Sequence, residues 1–310
     1  MDKVLIQNLE ANNQRDLSRL ITEIENTDVE ESVDLDKLFR KTNHAIRIGI
    51  TGPPGAGKSS ITNELIKNFI KTNHKVGVIA IDPTSPFSGG SLLGDRVRMN
   101  QYHNNENIFI RSMSTQGQLG GLSRKAQDIG DILAIAGKDI IIYETVGVGQ
   151  GEYDIVNVAD LTIIVLVPEA GDEVQLMKAG LIEIGDLFIV NKSDRKGAKQ
   201  LTEKLKSIIN INKEINRPIF NTTAKEGKGI EELFKGIMNK YEELDATGHI
   251  LKRQKIRYRL RVKKIIQEKI LNKFWTKKKI TKLNSATESI NDLKKSPIIT
   301  AKEIMENIDI

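Results

Sequence analysis

Residues 52–59, Gly52-Pro53-Pro54-Gly55-Ala56-Gly57-Lys58-Ser59, set glycines, a lysine and a hydroxyl at the spacing G-x-x-x-x-G-K-[ST]. That pattern is a loop built to hold phosphate. Glycines let the backbone curl so that successive N–H groups face anionic oxygens, where a side chain would collide. Lys58 supplies a compact positive charge for the β- and γ-phosphates, and the Ser59 hydroxyl is an oxygen ligand suited to Mg2+. Ser60 carries the run of N–H donors into the next segment. Far downstream, Asn191-Lys192-Ser193-Asp194 fits N-K-x-D. A carboxylate at Asp194 accepts from the N1–H and N2 amine of guanine, and adenine offers neither donor. Lys192 can lie over the base while Asn191 ties this loop back to the phosphate region. Thr222-Thr223-Ala224-Lys225 is similar to the Ser-Ala-Lys loop that closes over guanine, with Thr223 in place of serine. The expected ligand is GTP or GDP, with Mg2+.

The elements that must position these groups are legible as hydrophobic runs. Residues 45–50 read as a buried strand entering the phosphate loop. Ile61, Leu65, Ile66 and Phe69 recur at helical spacing after it, so the loop opens a helix whose N-terminus favours an anion. Residues 76–81 form an apolar, β-rich run ending in Asp82, and residues 140–143 form another ending in Glu144. Acids at the C-terminal ends of parallel strands face the crevice where such sheets bind ligands. Glu144-Thr145-Val146-Gly147 stands where a D-x-x-G element belongs, with Glu for Asp. There the acid can hold the Mg2+ shell and the Gly147 N–H can sense the γ-phosphate. Residues 187–190 and 218–220 are strand-like runs that lead into the two base-reading segments.

One longer string is more specific than any of these motifs. Residues 82–99, Asp-Pro-Thr-Ser-Pro-Phe-Ser-Gly-Gly-Ser-Leu-Leu-Gly-Asp-Arg-Val-Arg-Met, closely resemble the first switch of the MeaB/ArgK family. Its members are GTPases associated with methylmalonyl-CoA mutase and related B12-dependent acyl-CoA mutases. Residues 144–150 resemble the second switch of that family, and residues 170–180 its third, which contacts the mutase. The chain departs from the family pattern at Gly151, Glu169 and Thr223. The resemblance implies that Asp82, Asp95 and Glu144 complete the metal shell and place the attacking water. It implies that Lys178 enters the nucleotide site when a partner reorganises the third switch. It further implies a GTP-hydrolysing chaperone, slow alone and stimulated by its partner, that gates B12 loading and protects the mutase. Lys58, Asp95 and Lys178 are the expected catalytic groups.

Composition bounds the setting. With 310 residues the chain can bury a sizeable core, and with no cysteine it has neither disulfides nor a Cys-based metal or nucleophile site. No apolar signal core opens the chain and no uncharged run reaches membrane-spanning length, so a cytoplasmic location without membrane insertion is expected. The expected fold class is α/β, a doubly wound, mostly parallel P-loop GTPase sheet over residues 43–241. Residues 1–42 read as a helical extension through Leu17, Leu20, Ile21 and Ile24, then Leu35, Leu38 and Phe39. Residues 242–310 read as a helical arm. Within it, residues 250–310 hold 17 lysines and arginines against 6 acids, a net +11 that leaves −5 for the remainder. Ile256, Leu260, Ile266, Ile270 and Phe274 form an apolar stripe along the arm. The family resemblance makes that stripe a homodimer interface. A nucleic-acid surface is the rival reading of the charge, but no aromatic-rich surface accompanies it.

Two alternatives from other classes stay open at this level. A GTPase metallochaperone of the nickel-inserting type needs clustered His and Cys ligands, whereas His44, His74, His103 and His249 are scattered. A non-enzymatic, GTP-dependent scaffold is separated from an enzyme by single-turnover hydrolysis.

Overall fold

The runs Ile-Arg-Ile-Gly-Ile-Thr, Ile-Ile-Ile-Tyr-Glu-Thr and Leu-Thr-Ile-Ile-Val-Leu are too short for helices, rich in β-branched residues, and buried along nearly their whole lengths. Strands apolar on both faces belong in the middle of a parallel sheet covered on each side. The computed structural model describes residues 14–26, 42, 44–82, 102, 105–114, 124–145, 154–168, 180–209, 216–288 and 295–305. Its strands are β1 (Ile46–Thr51), β2 (Val76–Asp82), β3 (Ile108–Ser114), β4 (Ile140–Thr145), β5 (Leu161–Leu166), β6 (Leu187–Val190) and β7 (Ile219–Asn221). They form one 7-stranded sheet in the order β3-β2-β4-β1-β5-β6-β7, and every pairing is parallel.

The helices are α1 (Gln14–Asn26), α2 (Lys58–Lys71), α3 (Arg124–Ile135), α4 (Leu181–Ile184), α5 (Ala198–Ile209), α6 (Ile230–Ala246), α7 (His249–Phe274), α8 (Lys277–Ser285) and α9 (Pro297–Met305). Alternation along each strand sends neighbouring residues to opposite layers. Ile48, Ile50, Val78, Ile142, Ile163 and Ile189 join α2 and α6 in one core. Ile79, Ile81, Ile141 and Tyr143 face the other way, onto α1 and α3. Ile164, Leu166, Phe188 and Val190 pack on α5. Two-sided cover is the doubly wound arrangement the sequence predicts.

The amphipathic pattern of α1 works as expected, because Leu17, Leu20, Ile21 and Ile24 are fully buried. Its end is pinned where Arg111 of β3 donates to the Glu25 carboxylate and Lys125 donates to the Glu25 carbonyl. The second predicted covering segment, through Leu35, Leu38 and Phe39, lies outside the described residues.

The chain divides into two compact units, residues Met1–Gln254 and Lys255–Ile310. The arm is expected to start at residue 242, yet burial in the first unit continues beyond it through Leu244 and Ile250, and the basic run begins at Lys252. Arg253 closes that unit. It donates at 2.7 Å to each oxygen of Asp186, just before β6, and at 2.7 Å to the carbonyl of Asp160, just before β5. Within the second unit, Thr276 caps α8 by accepting from the Lys279 N–H, and Lys295 pairs with Glu303 of α9 at 2.8 Å.

Candidate nucleotide site

The phosphate-loop motif turns between the end of β1 and the start of α2. Gly52, Gly55 and Gly57 take φ of 139°, 72° and 88°, a region that L-residues avoid. At Gly52 a Cβ would strike the carbonyl of Val165 on β5, and at Gly57 it would strike the side-chain amide of Asn191. The loop is therefore seated directly against the two segments beside it. Gly57 is the N-cap of α2 and brings no side-chain acceptor to the first-turn N–H groups, so that positive end is suited to an anion. Lys58 is buried, and its ammonium donates to the carbonyls of Gly52 at 2.7 Å and Pro53 at 2.9 Å. Ser59 and Ser60 follow in the first turn, half-buried, while Pro54 and Gly55 are exposed at the loop tip.

Glu144 enters from β4, whose register sets it opposite Ile50 of β1 and Ala80 of β2. Its carboxylate is buried and accepts from Ser59 Oγ at 2.5 Å and from Thr62 Oγ1 at 2.7 Å. Beside it, Thr145 donates to the Thr51 hydroxyl at 2.8 Å, joining the ends of β4 and β1 beneath the loop. This corner presents a carboxylate and a serine hydroxyl, hard oxygen donors of the kind that suit Mg2+.

The base-reading segments meet at Asn191. Its side-chain N–H donates to the Ala56 carbonyl at 2.8 Å, while its Oδ1 accepts from Thr222 Oγ1 and the Ala224 N–H, each at 3.1 Å. One buried amide thus ties the phosphate loop to both halves of the distal site. Lys192 takes φ 54°, the left-handed region, which reverses the chain there. Asp194 is exposed, and Thr223 donates to its Oδ1 at 3.3 Å while sharing a 3.2 Å hydrogen bond with Ser193. The second carboxylate oxygen can thus be directed outward. Ala224 is buried and starts a short 3-10 turn, on which Lys225 is exposed.

Of the residues singled out by sequence, the structure gathers Gly52, Pro53, Pro54, Gly55, Ala56, Gly57, Lys58, Ser59, Ser60 and Glu144 at one end. Asn191, Lys192, Asp194, Thr223, Ala224 and Lys225 lie at the other. Asp82 ends β2, which pairs with β4. Its side chain, together with Asp95, Gly147 and Lys178, lies outside the described residues. Thr62 hydrogen-bonds to Glu144 and Thr222 to Asn191, and neither was among the expected binding groups. The sequence signal for Thr62 is no more than its place one turn after Ser59.

A parallel sheet with a glycine loop after its central strand, and an N-K-x-D segment hydrogen-bonded to that loop, defines a P-loop GTPase. The model of the family described as methylmalonyl-CoA mutase-associated GTPase MeaB matches residues 17–279, and the chain belongs to that family. A protein of Pyrococcus horikoshii named as a GTPase is 44% identical over 268 residues, covering 84% of each chain. The GTPase ArgK of Escherichia coli is 35% identical over 248 residues, 77% of this chain and 74% of that one. The mouse methylmalonic aciduria type A homolog, mitochondrial, is 35% identical over 238 residues, 74% of this chain and 57% of its own. A crystal structure of a LAO/AO transport system kinase shares the fold, with a TM-score of 0.68 at 22% identity, covering 99% of this chain and 98% of that one. The protein is accordingly an enzyme that hydrolyses GTP.

Proposed function

We propose that this GTPase is a chaperone of a B12-dependent acyl-CoA mutase of the methylmalonyl-CoA type, gating cofactor loading and protecting the loaded enzyme. What carries the reading is the match to the mutase-associated family through residue 279, which takes in the nucleotide site and the first part of the basic arm. The name of the mouse relative, which refers to methylmalonic aciduria, supports it. The working form is a cytoplasmic homodimer joined through the arm. Among the described residues no helix is long and apolar enough to cross a membrane.

In this reading the N–H groups of residues 52–60 and the Lys58 ammonium hold the phosphates. Asp194 accepts from guanine, Lys192 and Ala224 flank the base, and Thr223 steadies the Asp194 carboxylate. Lys225 borders the same pocket. Ser59 and Glu144 offer the oxygen set for Mg2+, joined by Asp82 and Asp95. Bound there, the ion supplies positive charge against the charge that develops on the phosphates. The chain's own work is to align the nucleotide, exclude alternatives to guanine and place water through its acids. Gly147 reports the γ-phosphate, and Lys178 completes the site when the partner docks.

Single-turnover GTP hydrolysis with and without a B12 acyl-CoA mutase tests the proposal. Stimulation of at least about tenfold, equivalent to about 1.4 kcal/mol of barrier, is expected. Lys178→Ala should lose most of that stimulation and keep basal turnover. A mutase that leaves the rate unchanged removes the chaperone reading and leaves the GTPase intact.

A further inference from the structure

Thr62 lies outside every nucleotide-binding motif of the chain, yet it is fully buried against the acid of the metal corner. A threonine inside a helix usually points to solvent or returns its hydroxyl to the carbonyl four residues back. Here its hydroxyl donates to Glu144 Oε2 at 2.7 Å, while Ser59, one turn earlier on α2, donates to Oε1 at 2.5 Å. The two hydroxyls therefore hold one carboxylate between them, each on its own oxygen.

We infer that Thr62 is a positioning residue for the metal, locking the Glu144 carboxylate and, through it, the Ser59 hydroxyl. A hydroxyl carries one proton and two lone pairs. With its proton on Glu144, Ser59 has its lone pairs free to face a cation. That orientation lasts only while the carboxylate stays in place. Glutamate has one more rotatable bond than the aspartate usual at this position of GTPases, so it is the looser anchor. Thr62 removes that freedom by fixing the far oxygen, and its branched Cβ limits its own rotation. Thr62 would not itself ligate the cation, and its effect would be one of orientation, exerted through Glu144 and Ser59.

The inference rests on the reading of Ser59 as a Mg2+ ligand, and the test separates the two. Release of a fluorescent GDP analogue from the full-length protein is followed in EDTA and across a Mg2+ titration. The wild-type protein is expected to release nucleotide more slowly as Mg2+ rises. Thr62→Val should need about tenfold more Mg2+ for half of that slowing, at the low end of losses from removing a metal ligand's outer partner. Its release rate in EDTA should stay within about twofold of wild type, because guanine and phosphate contacts are untouched. Thr62→Ser restores the hydroxyl and should return the Mg2+ requirement to within about threefold of wild type. Should Thr62→Val not fold, Thr62→Cys, with only a weak S–H donor, carries the same expectation. Equal Mg2+ dependence in wild type and Thr62→Val overturns the inference while leaving Ser59 as the ligand. Equal impairment in Thr62→Val and Thr62→Ser assigns Thr62 to packing and overturns it as well. A wild-type rate indifferent to Mg2+ removes the metal reading and this inference with it.

Discussion

Asn191 shows how one side chain can make two motifs into one site. Its amide donates toward the phosphate loop through Ala56 and accepts from Thr222 and Ala224 on the base side, so neither end can shift without the other. Asp194, by contrast, is exposed, and its one hydrogen bond among the described residues is the long 3.3 Å contact from Thr223. A carboxylate left so open costs little in the free protein and gains most when a ligand brings two donors. Asp194→Asn should therefore weaken GTP binding by about 2–4 kcal/mol, as a charged hydrogen-bonding pair is lost. The same variant should admit xanthosine triphosphate, whose O2 needs a donor. Titration of both nucleotides against wild type and variant checks this, and unchanged GTP affinity would sink the guanine assignment. Such residues were legible because ligand geometry dictates their spacing. Thr62 and Thr222 were not, since a hydroxyl serves many roles and only the folded neighbourhood gives it one.

At the scale of elements, β1, β2, β4 and β6 were readable as apolar runs that end in polar residues, and helix α2 as a 3.6-residue period. Strands β3 and β5 carry no chemistry at their ends and did not stand out, although β5 completes the wall against Gly52. The least legible joint was the end of the first compact unit. The helical arm is expected from residue 242, but the charge turns basic only at Lys252, and the apolar contacts of the first unit run on through Leu244 and Ile250. Arg253 then clamps Asp186 with a bidentate pair, and its pKa is raised chiefly by those hydrogen bonds, against the lowering effect of burial. Removing it leaves a buried carboxylate with the Thr162 N–H at 2.8 Å as its remaining described hydrogen bond. Because Arg253 itself is partly exposed, solvent screening discounts the loss. Arg253→Gln should destabilise the protein by about 1–3 kcal/mol in urea. Lys263→Gln, on the exposed side of α7, should stay within about 0.5 kcal/mol. GTP affinity should be the same in both, since Asp160 and Asp186 precede their strands and the nucleotide loops follow theirs. An Arg253→Gln variant as stable as wild type would reduce the clamp to a surface pair.

The whole molecule is electrostatically split. Residues 1–254 hold 32 lysines and arginines against 35 acids, net −3, while residues 255–310 hold 15 against 6, net +9. On the second unit the apolar stripe is open, with Ile256, Leu260, Ile266 and Ile270 between 46% and 61% exposed. Those two facts pull in opposite directions. Burying the stripe against a second copy gains roughly 25 cal/mol for each Å2 of apolar surface removed from water. It also brings two strongly positive arms together, which repel until salt screens them, within about 8 Å at physiological ionic strength. Binding of the same arm to a nucleic acid or another polyanion has the reverse dependence, because salt competes for the phosphates. The sign of the salt effect thus separates the two readings of the arm. In sedimentation at 50 and 500 mM NaCl (values chosen to span a roughly threefold change in screening length), the proposed homodimer should tighten as salt rises. A chain ending at Gln254 should be monomeric at both and should bind GTP as the full chain does, because the described nucleotide groups all lie before that point. A dimer that loosens with salt, or one that survives the truncation, would move the interface away from the apolar stripe. The basic arm would then be a surface for an anionic partner.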